Sequence, residues 1–345
     1  MICNADLAEA LFQLAESHPP GEERLGLLRA AYAVFDAPRE LAGPRRLPEA
    51  IPLETLPTVA LLRSCASRDA LAAAVPRLSG PHRPRRAGAR TGFLSTTDVQ
   101  ALLSSSHLEA GQLRGAAHWH TRNSDGAAPL EAMARACLRR GYSWAVAADH
   151  SRGLACVNGL DAEGMRLQRR AIDGWNARHG DDLRVLPGIE AEILDAGRLD
   201  LPRAERDGVL VIASIHSGLA ERRDATNRIL TALDEPGVWA LGHPQGRLFA
   251  RRTGIRANWE VVFAAAAERG VLVEINGFPR RQDLDEALSR LALAAGCRFL
   301  LASDAHHPRH LGYDATALAI ASAAGIPRDA IVNFDSLDRV LDPES

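Results

Sequence analysis

Arg114-Gly-Ala-Ala-His-Trp-His-Thr-Arg-Asn-Ser-Asp-Gly126 decides how this chain is read. It sets His118 and His120 two residues apart and follows them with Asp125 in a Ser-Asp-Gly turn. On a strand, side chains at i and i+2 share a face, so two imidazoles can grip one ion while the turn carboxylate reaches back over the strand end. Taken alone, a His-x-His is often only a surface accident. Here the pattern recurs along the chain. From residue 115 onward, short apolar runs alternate with longer helical segments, and each run ends in polar residues. The runs end in Asp149-His150-Ser151, Gly188-Ile-Glu190-Ala-Glu192, Ser214-Ile-His216-Ser217-Gly218, Gly242-His243-Pro244, Glu274-Ile-Asn276-Gly277 and Ser303-Asp304-Ala-His306-His307.

Seven strands alternating with helices predict a parallel sheet covered by helices. Without a Gly-x-Gly-x-x-Gly turn, seven such units predict an α/β fold of the closed kind, a β/α barrel rather than a dinucleotide-binding sheet. Functional residues of such barrels sit at the carboxyl ends of the strands. One mouth would then collect six histidines and several carboxylates. A lone histidine at a strand end is more often a satisfied core residue, but six unpaired ones would cost several kcal/mol to bury. Imidazole and carboxylate without thiolate suit zinc, manganese or iron. Nine candidate ligands exceed one ion's needs and fit two or three divalent ions with bridging carboxylates.

Working outward, residues 1–78 read as a small helical module, with helices at Ala5–Ser17, Glu22–Phe35, Leu56–Cys65 and Asp69–Val75. Residues 79–95 read as an Arg/Pro/Gly-rich linker whose Arg83, Arg85, Arg86 and Arg90 could touch phosphates or simply be solvated. The barrel is expected over 96–345. Net charge is −2, from 41 basic and 43 acidic residues, so no global field calls for nucleic acid or an anionic membrane. Every basic residue is arginine, which excludes Schiff-base and P-loop lysines. The five cysteines (Cys3, Cys65, Cys137, Cys156, Cys297) are scattered and read as reduced. The start, Met1-Ile-Cys-Asn, has no secretory character, and no long apolar run is present, so a cytoplasmic location without membrane contact is expected.

The ordered motifs His-x-His-Thr, Ser-Asp-Gly, Asp-His-Ser, Gly-Ile-Glu, Ser-x-His-Ser-Gly, Gly-His-Pro-x-Gly-Arg, Glu-Ile-Asn and Ser-Asp-Ala-His resemble the polymerase and histidinol phosphatase (PHP) superfamily. They are most similar to the C-terminal PHP domain of bacterial family X DNA polymerases, over roughly residues 112–340. The resemblance implies a distorted seven-stranded β/α, TIM-like barrel with a trinuclear metal site. One ion would be held by His118, His120, Glu190 and Asp304, a second by Glu190, His216 and His243, and a third by Asp125, His150 and His306. It also implies phosphoester hydrolysis by a metal-bridging hydroxide. Two departures stand out. Ala116-Ala117 replaces the usual Asp-Leu, which puts metal affinity in question. Upstream, too few residues remain for a polymerase palm; Leu53-Glu-Thr-Leu-Pro-Thr-Val-Ala only echoes a helix-hairpin-helix, so polymerase activity is not expected.

Around this set, Arg247 is the first candidate for a phosphate clamp, with Arg152 and Arg280 behind it. Arg122 and Asn123 occupy variable mouth positions. His307 and His310 are rim residues, either of which could give a proton to the leaving oxygen. Asp149, Glu192 and Asn276 read as supporting groups, and Ser124, Ser151 and Ser217 as turn hydrogen-bonders rather than nucleophiles. Three readings follow: a manganese-dependent phosphodiesterase trimming nucleic acid from the 3′ end, with single-stranded DNA or a nucleotide as substrate; a small-metabolite phosphomonoesterase; and a non-catalytic metal-binding module. Oligomeric state is not legible.

Overall fold

The computed structural model describes residues 2–38, 41, 47–80, 90–154, 157–219 and 223–342. These form two compact units, Met1–Ser104 with Phe249–Thr253, and Ser105–Leu248 with Gly254–Ser345.

The first unit is helical: α1 (Asn4–Ser17), α2 (Glu22–Phe35), α3 (Leu56–Arg63), α4 (Arg68–Leu78) and α5 (Thr96–Ser104). The first four match the expected helices to within a few residues at each end. The fifth was not among the expected helices; it lies in the range 96–345 read as barrel and clusters with this unit. Leu7, Leu11 and Leu14 of α1 recur at helical spacing and are buried with Leu27, Ala31 and Val34 of α2. Phe12 meets Tyr32 and Phe249 edge-on, at 4.9 and 5.2 Å between ring centres. Arg83, Arg85 and Arg86 of the expected linker lie outside the described residues. Arg90 is no solvated tether: it is buried, with Nε 2.5 Å from Glu9 and Nη1 2.7 Å from Glu16.

The second unit is a closed barrel of seven parallel strands in sequential order: β1 (Gly115–Trp119), β2 (Trp144–Ala147), β3 (Arg184–Glu192), β4 (Leu210–Ser214), β5 (Val238–Leu241), β6 (Leu272–Asn276) and β7 (Phe299–Ala305), with β7 pairing back to β1. Helices on the outside and packed residues on the inside bury both strand faces, so the strands read as apolar runs rather than alternations. The helices are α6 (Leu130–Arg139), α7 (Ala162–His179), α8 (Thr226–Leu233), α9 (Trp259–Glu268), α10 (Glu286–Ala294) and α11 (Asp314–Ala323). Asp161, Asn258 and Asp285 cap three of them by accepting the N–H three residues on. The β-α rhythm fails once: β3 reaches β4 through a segment containing only a 3-10 turn, Arg203–Glu205.

The barrel interior holds Ala117, Trp144, Val146, Leu186, Ile212, Ala240, Leu272 and Leu300, against which Val332 and Val340 pack from the C-terminal segment. Gly115 has to be glycine, because a Cβ there would enter the Trp144 indole. Asn333 ties this segment to the strands, donating to the carbonyls of Gly115 and Leu301 and accepting the Leu301 N–H. Among the described residues, no helix is long and apolar enough to cross a membrane.

Candidate metal centre at the barrel mouth

All nine candidate ligands project from the carboxyl ends of the strands or the turns that follow. They form four overlapping groups: His120, Asp125, His150 and His306; His118, His120 and Asp304; His118, Glu190 and His243; His150, Glu190 and His216. Within each group the ligand atoms lie within 4.8 Å of one another. These groups cut across the partition implied by the family: His243 groups with His118, and His150 groups with Glu190 and His216.

Glu190 is the hub. Its Oε2 lies 3.2 Å from His118 Nε2, 3.6 Å from His120 Nε2 and 3.0 Å from His150 Nδ1. Its Oε1 lies 3.1 Å from His216 Nε2 and 2.8 Å from His243 Nε2. Asp304 Oδ1 is 3.1 Å from His120 Nε2, and Asp125 Oδ2 is 3.1 Å from His306 Nε2. The backbone yields to bring these groups together. His118, His243 and Asp304 take positive φ values of 55°, 25° and 49°, a conformation rare outside glycine that collects at functional sites. A register shift between Ala116 and Trp119 accompanies the first. The plain i, i+2 face expected for His118 and His120 is therefore modified by a bulge, and the two rings still meet at 5.2 Å.

The donor set fits divalent ions. Nδ1 of His120 and His243 are buried without a hydrogen-bond partner, while Nε2 of His118 and His216 face the shared Glu190 carboxylate, at 3.2 and 3.1 Å. Such lone pairs are costly unless something else takes them. Supporting groups fix the ring tautomers. Glu274 accepts from His118 Nδ1 at 2.6 Å and from the Asn276 amide at 2.8 Å. Glu192 accepts from His216 Nδ1 at 2.7 Å and from Ser217 Oγ at 2.7 Å. Asp149 shapes the turn carrying Asp125, accepting from Thr121 N–H and from Ser124 Oγ, each at 2.7 Å. Ser151 donates to Asp200. Glu274, quoted in a sequence motif but given no role, is thus the group that orients His118. Replacing it in a Glu274→Gln variant should weaken metal affinity by about 10–100-fold, read by titration against a competing chelator; unchanged affinity would remove Glu274 from the site.

Protonation divides the histidines. Burial, with His150 beside it, lowers His120 to about 4, and burial with Arg281 nearby lowers His243 to about 4. Burial also opposes charge on His118, His216 and His306, but their carboxylate partners outweigh it. His118 is raised well above its ordinary value, and His216 and His306 to about 9. An incoming ion must expel those protons, because a ligating imidazole presents a lone pair. Protons are the competitor, so affinity should rise with pH through about 9, with proton uptake by buffer on binding. Calorimetry in buffers of different ionisation enthalpy checks this; affinity flat between pH 6 and 9 would contradict it.

The arginines fall differently from expectation. Arg247 is buried, with its guanidinium 3.2 Å from Asp285 and its backbone N–H directed at Asp283. The guanidinium at the mouth belongs to Arg281, whose Nε lies 2.9 Å from Asp304 Oδ2. Nothing in the spacing marked Arg281 over its neighbour Arg280, which is exposed; the turn after Asn276 makes the choice. Arg122, Asn123 and Arg152 are exposed. His307 caps the following 3-10 turn, its Nδ1 accepting the Arg309 N–H at 3.1 Å, which leaves its proton on Nε2.

Compared with models of known protein families, the chain matches none. It is 34% identical over 237 residues to the DNA polymerase/3′-5′ exonuclease PolX of Bacillus subtilis, covering 68% of this chain and 41% of that protein. It is 31% identical over 171 residues to a probable phosphatase of Thermoanaerobacter sp. strain X514, covering 45% of this chain and 66% of the relative. The chain thus spans about two fifths and two thirds of the lengths of these relatives. A solved structure of histidinol phosphate phosphatase from Lactococcus lactis, complexed with zinc, L-histidinol and phosphate, superposes with a TM-score of 0.45 at 14% identity, over 59% of this chain and 92% of that one. The first relative is named as a DNA polymerase and 3′-5′ exonuclease and the second as a probable phosphatase. By its ordered motifs and these relatives, the chain is similar to the polymerase and histidinol phosphatase superfamily, and to the PHP domain of PolX among its members.

Proposed function

We propose that this protein is a metal-dependent phosphoesterase, and that it acts as a phosphodiesterase removing nucleotides from the 3′ end of nucleic acid. The observation that carries the reaction class is the convergence of six imidazoles and three carboxylates on one mouth, in overlapping groups whose ligand atoms lie within 4.8 Å of one another. The finer reading is supported by the relative named as a 3′-5′ exonuclease. Two or three manganese, zinc or iron ions would be held by His118, His120, Asp125, His150, Glu190, His216, His243, Asp304 and His306. Bound ions would supply Lewis acidity toward a phosphoryl oxygen and a water of lowered pKa.

The chain's own groups do the rest. Glu190 joins the subsites, since each of its oxygens faces different histidines. Arg281 holds Asp304 and leaves positive charge where phosphate charge would build up. His307, whose Nδ1 is taken by the Arg309 N–H, would offer Nε2 as the proton donor to a leaving oxygen. A second reading, a phosphomonoesterase of small metabolites, is favoured by the relatives named as phosphatases. A 5′-labelled single-stranded oligonucleotide and a panel of phosphomonoesters, each given to the protein with manganese, separate the two. A ladder of 3′-shortened products is expected. Phosphate release from a monoester with an intact oligonucleotide would replace the first reading by the second, and inertness toward both would leave a metal-binding module.

A further inference from the structure

Beside the metal centre stands a group of rings that hydrolysis itself does not require. Phe278 lies two residues beyond Asn276 at the end of β6, and His310 and Tyr313 lie on the 3-10 turn Pro308–Tyr313 that follows β7. His310 stacks on Tyr313 at 5.1 Å with 25° between planes. Phe278 meets both rings edge-on, at 5.9 and 5.5 Å. All three are only half-buried, and none belongs to the interior cluster of the barrel. Fold stability alone would favour rings tucked into that core.

The wall is held stiffly. Phe278 N–H donates to Asn276 Oδ1 at 3.0 Å, and a Cβ on Gly277 would strike the Tyr313 carbonyl. His307 pins the start of the turn, and Arg309 on the same turn is exposed. His306, one of the nine candidate ligands, lies two residues before this turn. A phosphate held at the mouth would therefore have a rigid aromatic surface next to it, with a cation at its edge. A small monoester without a ring has no use for such a surface, whereas every nucleobase has a π-face that stacks on one.

We propose that Phe278, His310 and Tyr313 form a stacking wall that seats a nucleobase of the substrate adjoining the scissile phosphate. The proposal rests on the reading of the mouth as a phosphoester hydrolase and names the subsite that reading lacks.

The test uses the full chain with manganese and two oligonucleotides that differ only at the 3′-terminal unit, thymidine or an abasic tetrahydrofuran. Wild type should prefer the base-bearing end. Phe278→Ala and His310→Ala should reduce that preference in kcat/KM by roughly 5- to 150-fold, mainly through KM. Phe278→Trp should retain it, which a merely structural role for the ring would not predict. A preference unchanged in both alanine variants, or equal losses on both substrates, would overturn the wall. If wild type cleaves neither oligonucleotide, the phosphodiesterase reading fails separately. The wall is then decided by fluorescence of 2-aminopurine riboside 5′-monophosphate: quenching by wild type and its loss in Phe278→Ala uphold it, and no quenching overturns it.

Discussion

Replacing Glu190 by alanine should lower kcat/KM for phosphoester hydrolysis by about a thousandfold or more, at the upper end of what removing one electrostatic element of an active site costs. Five imidazoles face this one carboxylate within 3.6 Å, three on Oε2 and two on Oε1. Among the described residues, no other carboxylate of the mouth faces as many; Asp304 faces three. Burial disfavours its charge, yet His150, His118 and His216 hold its pKa well below the usual carboxylate range. It therefore stays ionised and available to ions on both sides. Without it the metal subsites lose their shared member, so ion content of the purified protein should fall together with activity. Glu190→Gln keeps the shape and removes the charge. Equal losses in the two variants, with unchanged thermal melting, would assign the effect to ligation rather than packing. Folded variants that bind metal and hydrolyse substrate at the wild-type rate would end the metallo-phosphoesterase reading.

Arg281→Ala should reduce kcat by about a hundredfold or more, as expected when a preorganised cation facing developing charge is removed. Its side chain is one-fifth exposed, and Asp304, Glu190, Asp283 and Glu274 all act on its charge. Removing it leaves Asp304 without its partner and the mouth more negative toward an incoming phosphate. Arg281→Lys should recover only part of the rate, because an ammonium cannot reproduce the guanidinium fork. Arg247→Ala is the contrasting variant. That guanidinium is committed to Asp285 beneath the mouth, so its loss should lower the melting temperature more than kcat. The measurement is kcat, KM and melting temperature for all three. A larger kcat loss in Arg247→Ala than in Arg281→Ala would return the phosphate clamp to Arg247.

The sequence alone carried a good deal. The seven apolar runs, each closing on polar residues, determined the barrel, because strands buried on both faces must be apolar and their carboxyl ends must meet on one rim. Together with the family resemblance, those runs pointed to the nine residues that gather there. Helix limits came within a few residues where Asp, Asn or Ser caps and Pro-Gly breaks mark them, as at Glu22–Phe35. Where such signals do not bear on the question, the tertiary structure decided. Whether α5 belongs to the barrel or to the first unit depends on long-range packing that no local pattern records. The absence of an α-helix between β3 and β4 is likewise a matter of how the connection packs. The left-handed backbone at His118, His243 and Asp304 is not legible in the sequence either: His and Asp tolerate it better than most residues, but nothing local marks these three for it. Arg281 rather than Arg247 reaches the carboxylates because the turn after β6 folds inward, while Arg247 finds Asp285 first. Residue types and their period determined what chemistry could assemble; distances between strand ends, set by closure of the sheet, decided which groups touch.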